Sequence, residues 1–297
     1  MKYFEAFGGN GYHSAFLTTY ALSAQAFEDI PFPRLRGAGC RNITILADRG
    51  MTNASFSDFG PPRFAGTLYH VVKTSMPGAF HPKITLLVGE KKGRLLVGSA
   101  NLTALGLGGN RELVADVPFT EEAPELVSLF GQAISYIQRH VPEGDPWFDT
   151  ALKRALRHAP WLQNAIAETE DAGEGQPLFL CDQSEQTILD QIIAAVGDDP
   201  IHKLTILSPF WDERLEGLKQ LRDAFGTPPT NILLQPPAGL FPVESLERFQ
   251  DTQIFDVDAS GSSRFSHAKL FIAHGAVWDH VISGSMNCSL PALLGQT

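Results

Sequence analysis

Apolar residues in the first half of the chain follow patterns that predict a mixture of helices and strands. Near the N-terminus they recur every three or four positions up to about residue 30, which predicts a helix that ends at Pro31 and Pro33. Residues 48–62 are rich in Ser, Asn, Gly and Pro and predict a loop. An amphipathic run predicts a helix over residues 123–139. Short apolar runs predict strands at residues 42–47, 67–73, 80–88, 94–98 and 111–117.

The second half of the chain repeats this alternation of helices and short strands. Strands are predicted at residues 202–207, 231–235, 253–257, 267–273 and 276–283. Residues 151–167 have a helical pattern, and residues 168–175 are acidic and contain Gly, which is typical of a linker. Residues 290–297 show neither a strand nor a helix pattern. The chain is therefore expected to hold two α/β halves around a helical and acidic linker.

One polar motif occurs twice at matching spacing. His-x-Lys is followed by Gly-Ser-x-Asn, with 18 residues from His to Ser and from Lys to Asn in both copies. The copies are His81, Lys83, Gly98, Ser99 and Asn101, and then His267, Lys269, Gly284, Ser285 and Asn287. We expect two homologous halves, residues 1–142 and 177–297, each a mixed β-sheet flanked by helices, with residues 143–176 as the linker.

Charge and cysteine content narrow the class of protein. The net charge of 23 − 33 = −10 argues against non-specific nucleic-acid binding, but residues 1–142 carry 13 − 11 = +2 and residues 143–297 carry 10 − 22 = −12. Three scattered cysteines predict a reducing, cytoplasmic location without a disulfide framework or a zinc cluster. No apolar run is long enough for a membrane span, so no membrane partner is expected.

The repeated residues suit chemistry at a phosphate. Residues i and i+2 of a strand share a face, so His and Lys of each copy are expected to project together. One histidine can attack phosphorus while the other protonates the leaving oxygen and later activates water. The charge on the non-bridging oxygens would be neutralised by Lys83, Lys269, Asn101 and Asn287, supported by the hydroxyls of Ser99 and Ser285.

The sequence alone leaves the roles of Glu112 and of four aromatic residues open. Glu112 could hold the second ring nitrogen of a histidine and set its tautomer, or it could be a surface carboxylate. Four aromatic residues could stack on bases or could belong to the core, and the core is the expected place for most of them: Phe80, Phe210, Trp211 and Phe265.

The paired motifs resemble those of the phospholipase D superfamily. This resemblance implies two α/β halves packed about a pseudo-two-fold axis, with the two motifs forming one active site. It implies a phosphohistidine intermediate, no metal and no other cofactor, with His81 as the nucleophile and His267 as the general acid/base. The superfamily's common motif has an Asp five residues after the Lys, and here those positions are Val88 and His274.

The remaining pattern resembles the nuclease branch, which includes metal-independent restriction endonucleases and modules beside bacterial helicases. It implies a phosphodiesterase acting on DNA or RNA, in a bacterial defence or helicase-associated setting. The Glu that comes eleven residues after Asn101 is Glu112, whereas the corresponding position after Asn287 would be residue 298. We therefore expect a fragment of a longer protein, followed by a helicase or DNA-reading domain or served by a partner protein. The alternatives are a phospholipase or phosphatidyltransferase acting on lipid, and a catalytically weak nucleic-acid-binding module.

Overall fold

The computed structural model describes residues 2–167, 175–183, 185–235, 241–258 and 264–295. The chain forms two compact units. Unit 1 comprises Met1–Gly108 and Val114–Phe179, and unit 2 comprises Gly109–Leu113 and Leu180–Thr297. A five-residue segment of the first half therefore belongs to the second unit.

Unit 1 contains a six-stranded mixed sheet in the order β3-β2-β1-β4-β5-β6. Its strands are β1 (Tyr12–Thr19), β2 (Asn42–Asp48), β3 (His70–Thr74), β4 (Ile84–Gly89), β5 (Lys92–Gly98) and β6 (Val114–Thr120). The first three strands run parallel, whereas β4, β5 and β6 each run antiparallel to their neighbours.

Helices cover this sheet because its central strands are apolar on both faces. The helices are α1 (Ala24–Asp29), α2 (Pro31–Ala38), α3 (Arg49–Phe59), α4 (Val127–Arg139), α5 (Pro146–His158) and α6 (Pro160–Ala167). Leu17 of β1 belongs to a buried cluster that includes Phe27 of α1 and Leu35 of α2. Its neighbour Phe16 packs instead against Phe148 of α5, at 6.0 Å between ring centroids.

Two predictions for unit 1 are wrong. The apolar residues up to residue 30 are not one helix, because residues 12–19 form strand β1. A strand that is buried on both faces has no polar alternation, so its apolar run is easily confused with a buried helix. The predicted loop at residues 48–62 contains helix α3, whose first turn is capped by Asp48 accepting a hydrogen bond from the Met51 amide at 2.9 Å.

The region predicted as a linker contributes helices to unit 1. Asp145 caps the start of α5, accepting hydrogen bonds from the backbone amides of Trp147 and Phe148. Trp161 of α6 is buried with its ring centroid 5.6 Å from that of Phe130 in α4. Residues 168–174 of the predicted acidic linker lie outside the described part of the chain.

Unit 2 contains a five-stranded mixed sheet in the order β11-β10-β7-β8-β9. Its strands are β7 (Ile201–Leu207), β8 (Thr230–Leu234), β9 (Thr252–Asp256), β10 (Leu270–Gly275) and β11 (Asp279–Ser283). Its helices are α7 (Ile188–Val196), α8 (Glu216–Ala224) and α9 (Leu290–Leu294), with a 3-10 turn at Val243–Arg248. Helix α9 corrects the expectation that residues 290–297 have no helix.

The two sheets confirm the prediction of homologous halves. β7, β8 and β9 are parallel, as are β1, β2 and β3, and β10 runs antiparallel to β7 as β4 does to β1. The register also agrees, because Ile84 pairs with Val97 and Leu270 pairs with Ser283, at one shared offset of 270 − 84 = 283 − 97 = 186. Among the described residues, no helix has the length and apolar character needed to cross a lipid bilayer.

Candidate active site

His81 and Lys83 lie just before the strand on which they were expected. β4 begins at Ile84, so the shared-face argument for a strand does not apply to them. Their position is set by Thr18, whose hydroxyl donates to the Pro82 carbonyl at 3.0 Å and accepts from the Ile84 amide at 2.9 Å. The buried Lys83 ammonium folds back and donates to the His81 carbonyl at 2.7 Å.

The first Gly-Ser-x-Asn loop follows β5 directly and is anchored to the end of β1. The Gly98 amide donates to the Lys83 carbonyl at 3.1 Å, which places the loop beside the His-x-Lys segment. Asn101 Oδ1 accepts a hydrogen bond from the Ala21 amide at 3.2 Å and lies 3.3 Å from the Thr19 hydroxyl oxygen. The bond from the Ala21 amide fixes the carboxamide orientation and leaves Nδ2 as the group that can donate to a phosphate oxygen.

The same anchor recurs in unit 2. In unit 1 the Leu102 amide donates to the Thr19 hydroxyl at 3.1 Å, and that hydroxyl donates to the Ala21 carbonyl at 2.8 Å. In unit 2 the Cys288 amide donates to the Ser208 hydroxyl at 3.0 Å, and that hydroxyl donates to the Phe210 carbonyl at 2.8 Å. Both Gly-Ser-x-Asn loops are thus tied to a hydroxyl residue at the end of the first strand of their own unit.

The second loop holds Ser285 and Asn287 between β11 and α9. Both side chains are partly buried. Asn287 Oδ1 is a buried atom without a hydrogen-bond partner among the described residues. A buried carboxamide oxygen without a hydrogen-bond partner lowers the stability of the folded chain.

Glu112 lies in unit 2 beside His267. The segment Gly109–Leu113 runs alongside residues 265–267, where the Arg111 amide donates to the Phe265 carbonyl at 2.8 Å and its carbonyl accepts from the His267 amide at 2.9 Å. Both carboxylate oxygens of Glu112 are 3.0 Å from His267 Nδ1, and the two side chains are only 5% and 11% exposed. Glu112 is therefore a buried partner of His267 and not a surface carboxylate.

Lys269 contacts the other ring nitrogen of His267. Its Nζ lies 2.9 Å from His267 Nε2 and donates to the His267 carbonyl at 2.7 Å. The side chain is fully buried. Burial disfavours the ammonium and lowers the pKa of Lys269 to about 7, although the nearby Glu112 carboxylate opposes the shift. Near neutral pH both the protonated and the neutral form of the Lys269 amine are therefore accessible.

A second network fixes the segment that carries Glu112. Arg111 forms an ion pair with Asp258 at 2.8 Å. Gln235 donates to Asp258 at 3.3 Å and to the Arg264 carbonyl at 2.9 Å, and its own oxygen accepts from the Ser266 amide at 2.6 Å. No short motif contains these residues, so sequence patterns did not point to them. Thr19 and Ser208 were missed as well, although a Ser or Thr at the end of each first strand was an available signal.

The four aromatic candidates occupy different environments. Phe80 is fully buried, as expected of a core residue. Trp211 is partly buried and packs edge-on against Phe241 at 5.2 Å between ring centroids. Phe210 and Phe265 are 37% and 43% exposed, so the expectation of a core position is wrong for these two.

Comparisons with known proteins find likeness in structure. A mutant of yeast tyrosyl-DNA phosphodiesterase aligns over 99% of this chain and 80% of its own, with 11% identity and a TM-score of 0.59. A second structure of the yeast enzyme covers 99% of this chain and 83% of its own, with 13% identity and a TM-score of 0.51. Nuc from Salmonella typhimurium, described as a phospholipase D family member, covers 47% of this chain and 86% of its own, with 15% identity and a TM-score of 0.36.

Comparison of sequences gives no match. No protein-family model matches the chain. None of the curated proteins compared with it matches either. The structural likeness and the topology of the two sheets therefore establish the fold and nothing beyond it. This chain has the fold of yeast tyrosyl-DNA phosphodiesterase.

Proposed function

We propose that this protein is a metal-independent phosphodiesterase that cleaves nucleic acid through a phosphohistidine intermediate. The observation that carries the proposal is the arrangement of Glu112, His267 and Lys269. A buried carboxylate holds one ring nitrogen of the histidine, and a buried amine with a pKa of about 7 faces the other. Such an arrangement suits proton transfer near neutral pH.

The two histidines take the roles that the motif resemblance implies. His81 attacks phosphorus, so that a phosphorus–nitrogen bond forms while the bond to the leaving oxygen breaks. The leaving oxygen receives a proton from His267. In the second step His267 takes a proton from water, the water oxygen attacks phosphorus, and the phosphorus–nitrogen bond breaks to release His81.

The position of Glu112 supports the acid/base role of His267. Because the carboxylate accepts from Nδ1–H, Nε2 is the nitrogen that gives and takes the proton. Lys269 lies at that nitrogen and supplies a second proton carrier. In the first copy the equivalent amine, Lys83, donates to the backbone carbonyl of its own histidine. Lys269 makes the same bond to the His267 carbonyl, so the two copies of the motif share this contact.

Buried lysines and carboxamides are proposed to provide the electrostatic stabilisation of the transition state. A buried ammonium is costly unless an anion compensates for its charge. A bound phosphodiester supplies that anion, and Lys83 and Lys269 would stabilise the charge that develops on its non-bridging oxygens. Asn101 and Asn287 add amide donors, and the hydroxyls of Ser99 and Ser285 are proposed to support the loops that hold them.

Nucleic acid is the proposed substrate class because of two observations. Tyrosyl-DNA phosphodiesterase, whose fold this chain shares, acts on DNA as its name states. The Asp typical of the common motif is replaced by the fully buried Val88 and by His274, which is hydrogen-bonded to Asp279 at 2.8 Å. A role in bacterial defence or beside a helicase, and an additional domain or partner protein, stay predictions from the motifs.

One assay tests this function. The protein is incubated in EDTA with labelled single-stranded DNA, double-stranded DNA and RNA, beside His81→Ala, His267→Ala and a control, His202→Ala, which alters an exposed histidine on β7. We expect EDTA-resistant cleavage that falls about a hundredfold or more in the first two variants and persists in the control. Cleavage that needs added Mg²⁺ would contradict the mechanism.

Two other outcomes would replace the proposal. Release of a lipid head group without nuclease activity would identify a phospholipase, and binding of nucleic acid without any cleavage would identify a binding module. A covalent intermediate is sought by rapid acid-free quenching and mass spectrometry of the peptides that contain His81 and His267. Phosphate on the His267 peptide instead of the His81 peptide would exchange the two roles.

A further inference from the structure

Two partly exposed phenylalanines lie beside the imidazole of His267. The ring centroid of Phe210 lies 6.0 Å from that of His267, and the ring centroid of Phe265 lies 6.2 Å from it. The two phenylalanine rings are 6.4 Å apart and inclined at 50° to each other. All three rings belong to unit 2.

Exposure of these rings is not explained by packing. Single exposed apolar side chains are normal on a protein surface, but two adjacent rings beside a reactive group form an apolar surface that a ligand can cover. Phe210 and Phe265 lie on separate loops, the first after β7 and the second before β10. The chain therefore brings them together only by folding.

Backbone bonds hold both loops in place. The Phe210 carbonyl accepts from the Ser208 hydroxyl at 2.8 Å, and the same hydroxyl anchors the second Gly-Ser-x-Asn loop through the Cys288 amide. The Phe265 carbonyl accepts from the Arg111 amide at 2.8 Å, in the segment that carries Glu112. The rings are thus fixed to the two loops that also position the polar side chains around His267.

We infer that Phe210 and Phe265 form a stacking surface for a nucleobase next to the scissile phosphate. The substrate class is therefore nucleic acid with an unstacked base at that position, which a single strand or a flipped-out nucleotide provides. This inference rests on the proposed function, because it places the phosphate at His267. Stacking tolerates every base, since each base offers a flat π-face, so cleavage is expected to show little sequence preference.

A fully paired duplex fits this surface less well. Its bases are stacked on one another, and exposing one of them costs unstacking and unpairing energy. A single strand presents its bases at no such cost. We therefore expect faster cleavage of single-stranded than of double-stranded substrate of the same sequence.

The test compares variants on substrates with and without the base. Cleavage in EDTA is measured on a single-stranded oligonucleotide and on the same oligonucleotide with abasic sites around the scissile phosphate. The variants are Phe210→Leu and Phe265→Leu, with Phe210→Trp as a conservative replacement. The matched control is Phe255→Leu on β9, because Phe255 is also 43% exposed. Thermal unfolding of each variant checks that it is folded.

We expect each leucine variant to lose about tenfold to a hundredfold in kcat/KM on the normal strand and little on the abasic strand. The control should keep its activity, and Phe210→Trp, which retains an aromatic face, should lose less activity than Phe210→Leu. An equal loss on both substrates, or no loss, would overturn the inference.

A binding measurement separates failure of this inference from failure of the proposed function. An oligonucleotide with 2-aminopurine at the site is titrated with His267→Ala, alone and combined with Phe210→Leu or Phe265→Leu. Stacking is supported if His267→Ala quenches the 2-aminopurine fluorescence and the added phenylalanine changes abolish that quenching. This result would support stacking even if the wild-type protein cleaves no nucleic acid. Cleavage by the wild-type protein without any dependence on these rings would retain the function and reject the stacking surface.

Discussion

Glu112 and His267 are 155 residues apart in sequence, yet both carboxylate oxygens of Glu112 lie 3.0 Å from the ring nitrogen Nδ1 of His267. The contact exists because the segment Gly109–Leu113 leaves the first half of the chain and joins unit 2. A carboxylate supplied by one repeat therefore orients the histidine of the other repeat.

Replacing Glu112 by Gln should reduce turnover more than substrate binding. The amide keeps the shape of the side chain but removes the charge that fixes the Nδ1–H tautomer. We expect kcat to fall by about a hundredfold or more, with KM changing little. The control is Glu121→Gln, which changes an exposed carboxylate in unit 1. A rise in KM without a change in kcat would show that Glu112 serves substrate binding and not the chemical step.

Lys269 should make the stability of the protein depend on pH. Its pKa is about 7 in the folded chain, compared with 10.5 for an exposed lysine, so between these values the unfolded chain binds more protons. The contribution of Lys269 to the free energy of unfolding should therefore rise as pH increases from about 7 to 10, by on the order of a few kcal/mol. Urea unfolding at a series of pH values measures this pH dependence of the free energy of unfolding.

The matching variant is Lys269→Met, which keeps the length and apolar stem of the side chain. It should flatten the pH dependence over this window. An unchanged slope in the variant would show that Lys269 does not carry the effect.

Binding of an oxyanion should be accompanied by uptake of a proton. A bound anion favours the ammonium and raises the pKa of Lys269 from about 7, so at a pH of about 8 the complex takes up a proton that the free protein lacks. Calorimetry with tungstate in buffers of different ionisation enthalpy measures this uptake. It should approach one proton and disappear in Lys269→Met. Binding without proton uptake would contradict the low pKa.

The Thr19 and Ser208 hydroxyls should contribute similarly to the free energy of unfolding. Each accepts a hydrogen bond from a loop amide, and removing it leaves a buried donor unsatisfied. Thr19→Val and Ser208→Ala should each lower the free energy of unfolding by about 1–3 kcal/mol and weaken activity. Ser245→Ala is the control, since that hydroxyl makes an exposed bond to the Glu213 carbonyl. An equal effect of all three changes on the free energy of unfolding would show that the Thr19 and Ser208 bonds do not specially anchor the two loops.

The sequence predicted the two homologous sheets because the repeat preserves spacing, as the offset of 186 residues between β4 and β10 shows. It did not predict β1, because a strand buried on both faces lacks alternation. The Thr19–Ser208 correspondence was hidden by a change of offset, since 208 − 19 = 189 whereas 288 − 102 = 186. The partner of Glu112 could not be predicted, because local patterns carry no information on which unit a short segment joins.

Gly106 should be needed to hold Asn101 in place. It lies in the π-helical turn Leu105–Gly109, and a Cβ atom at this position would collide with the backbone of Asn101, including its carbonyl oxygen and its amide nitrogen. Because these are backbone atoms, relief requires the loop that carries Asn101 to move. Gly106→Ala should therefore cost about 1–3 kcal/mol in the free energy of unfolding and reduce cleavage.

Gly108 provides the matched control from the same turn. A Cβ atom there would lie 3.7 Å from the Phe4 ring, which is an ordinary van der Waals contact. Gly108→Ala should therefore leave both stability and cleavage nearly unchanged. Chemical denaturation and the EDTA assay measure the two variants side by side. If they behave alike, the close packing of Gly106 on Asn101 does not position the loop, and the proposed phosphate-binding role of Asn101 loses its structural support.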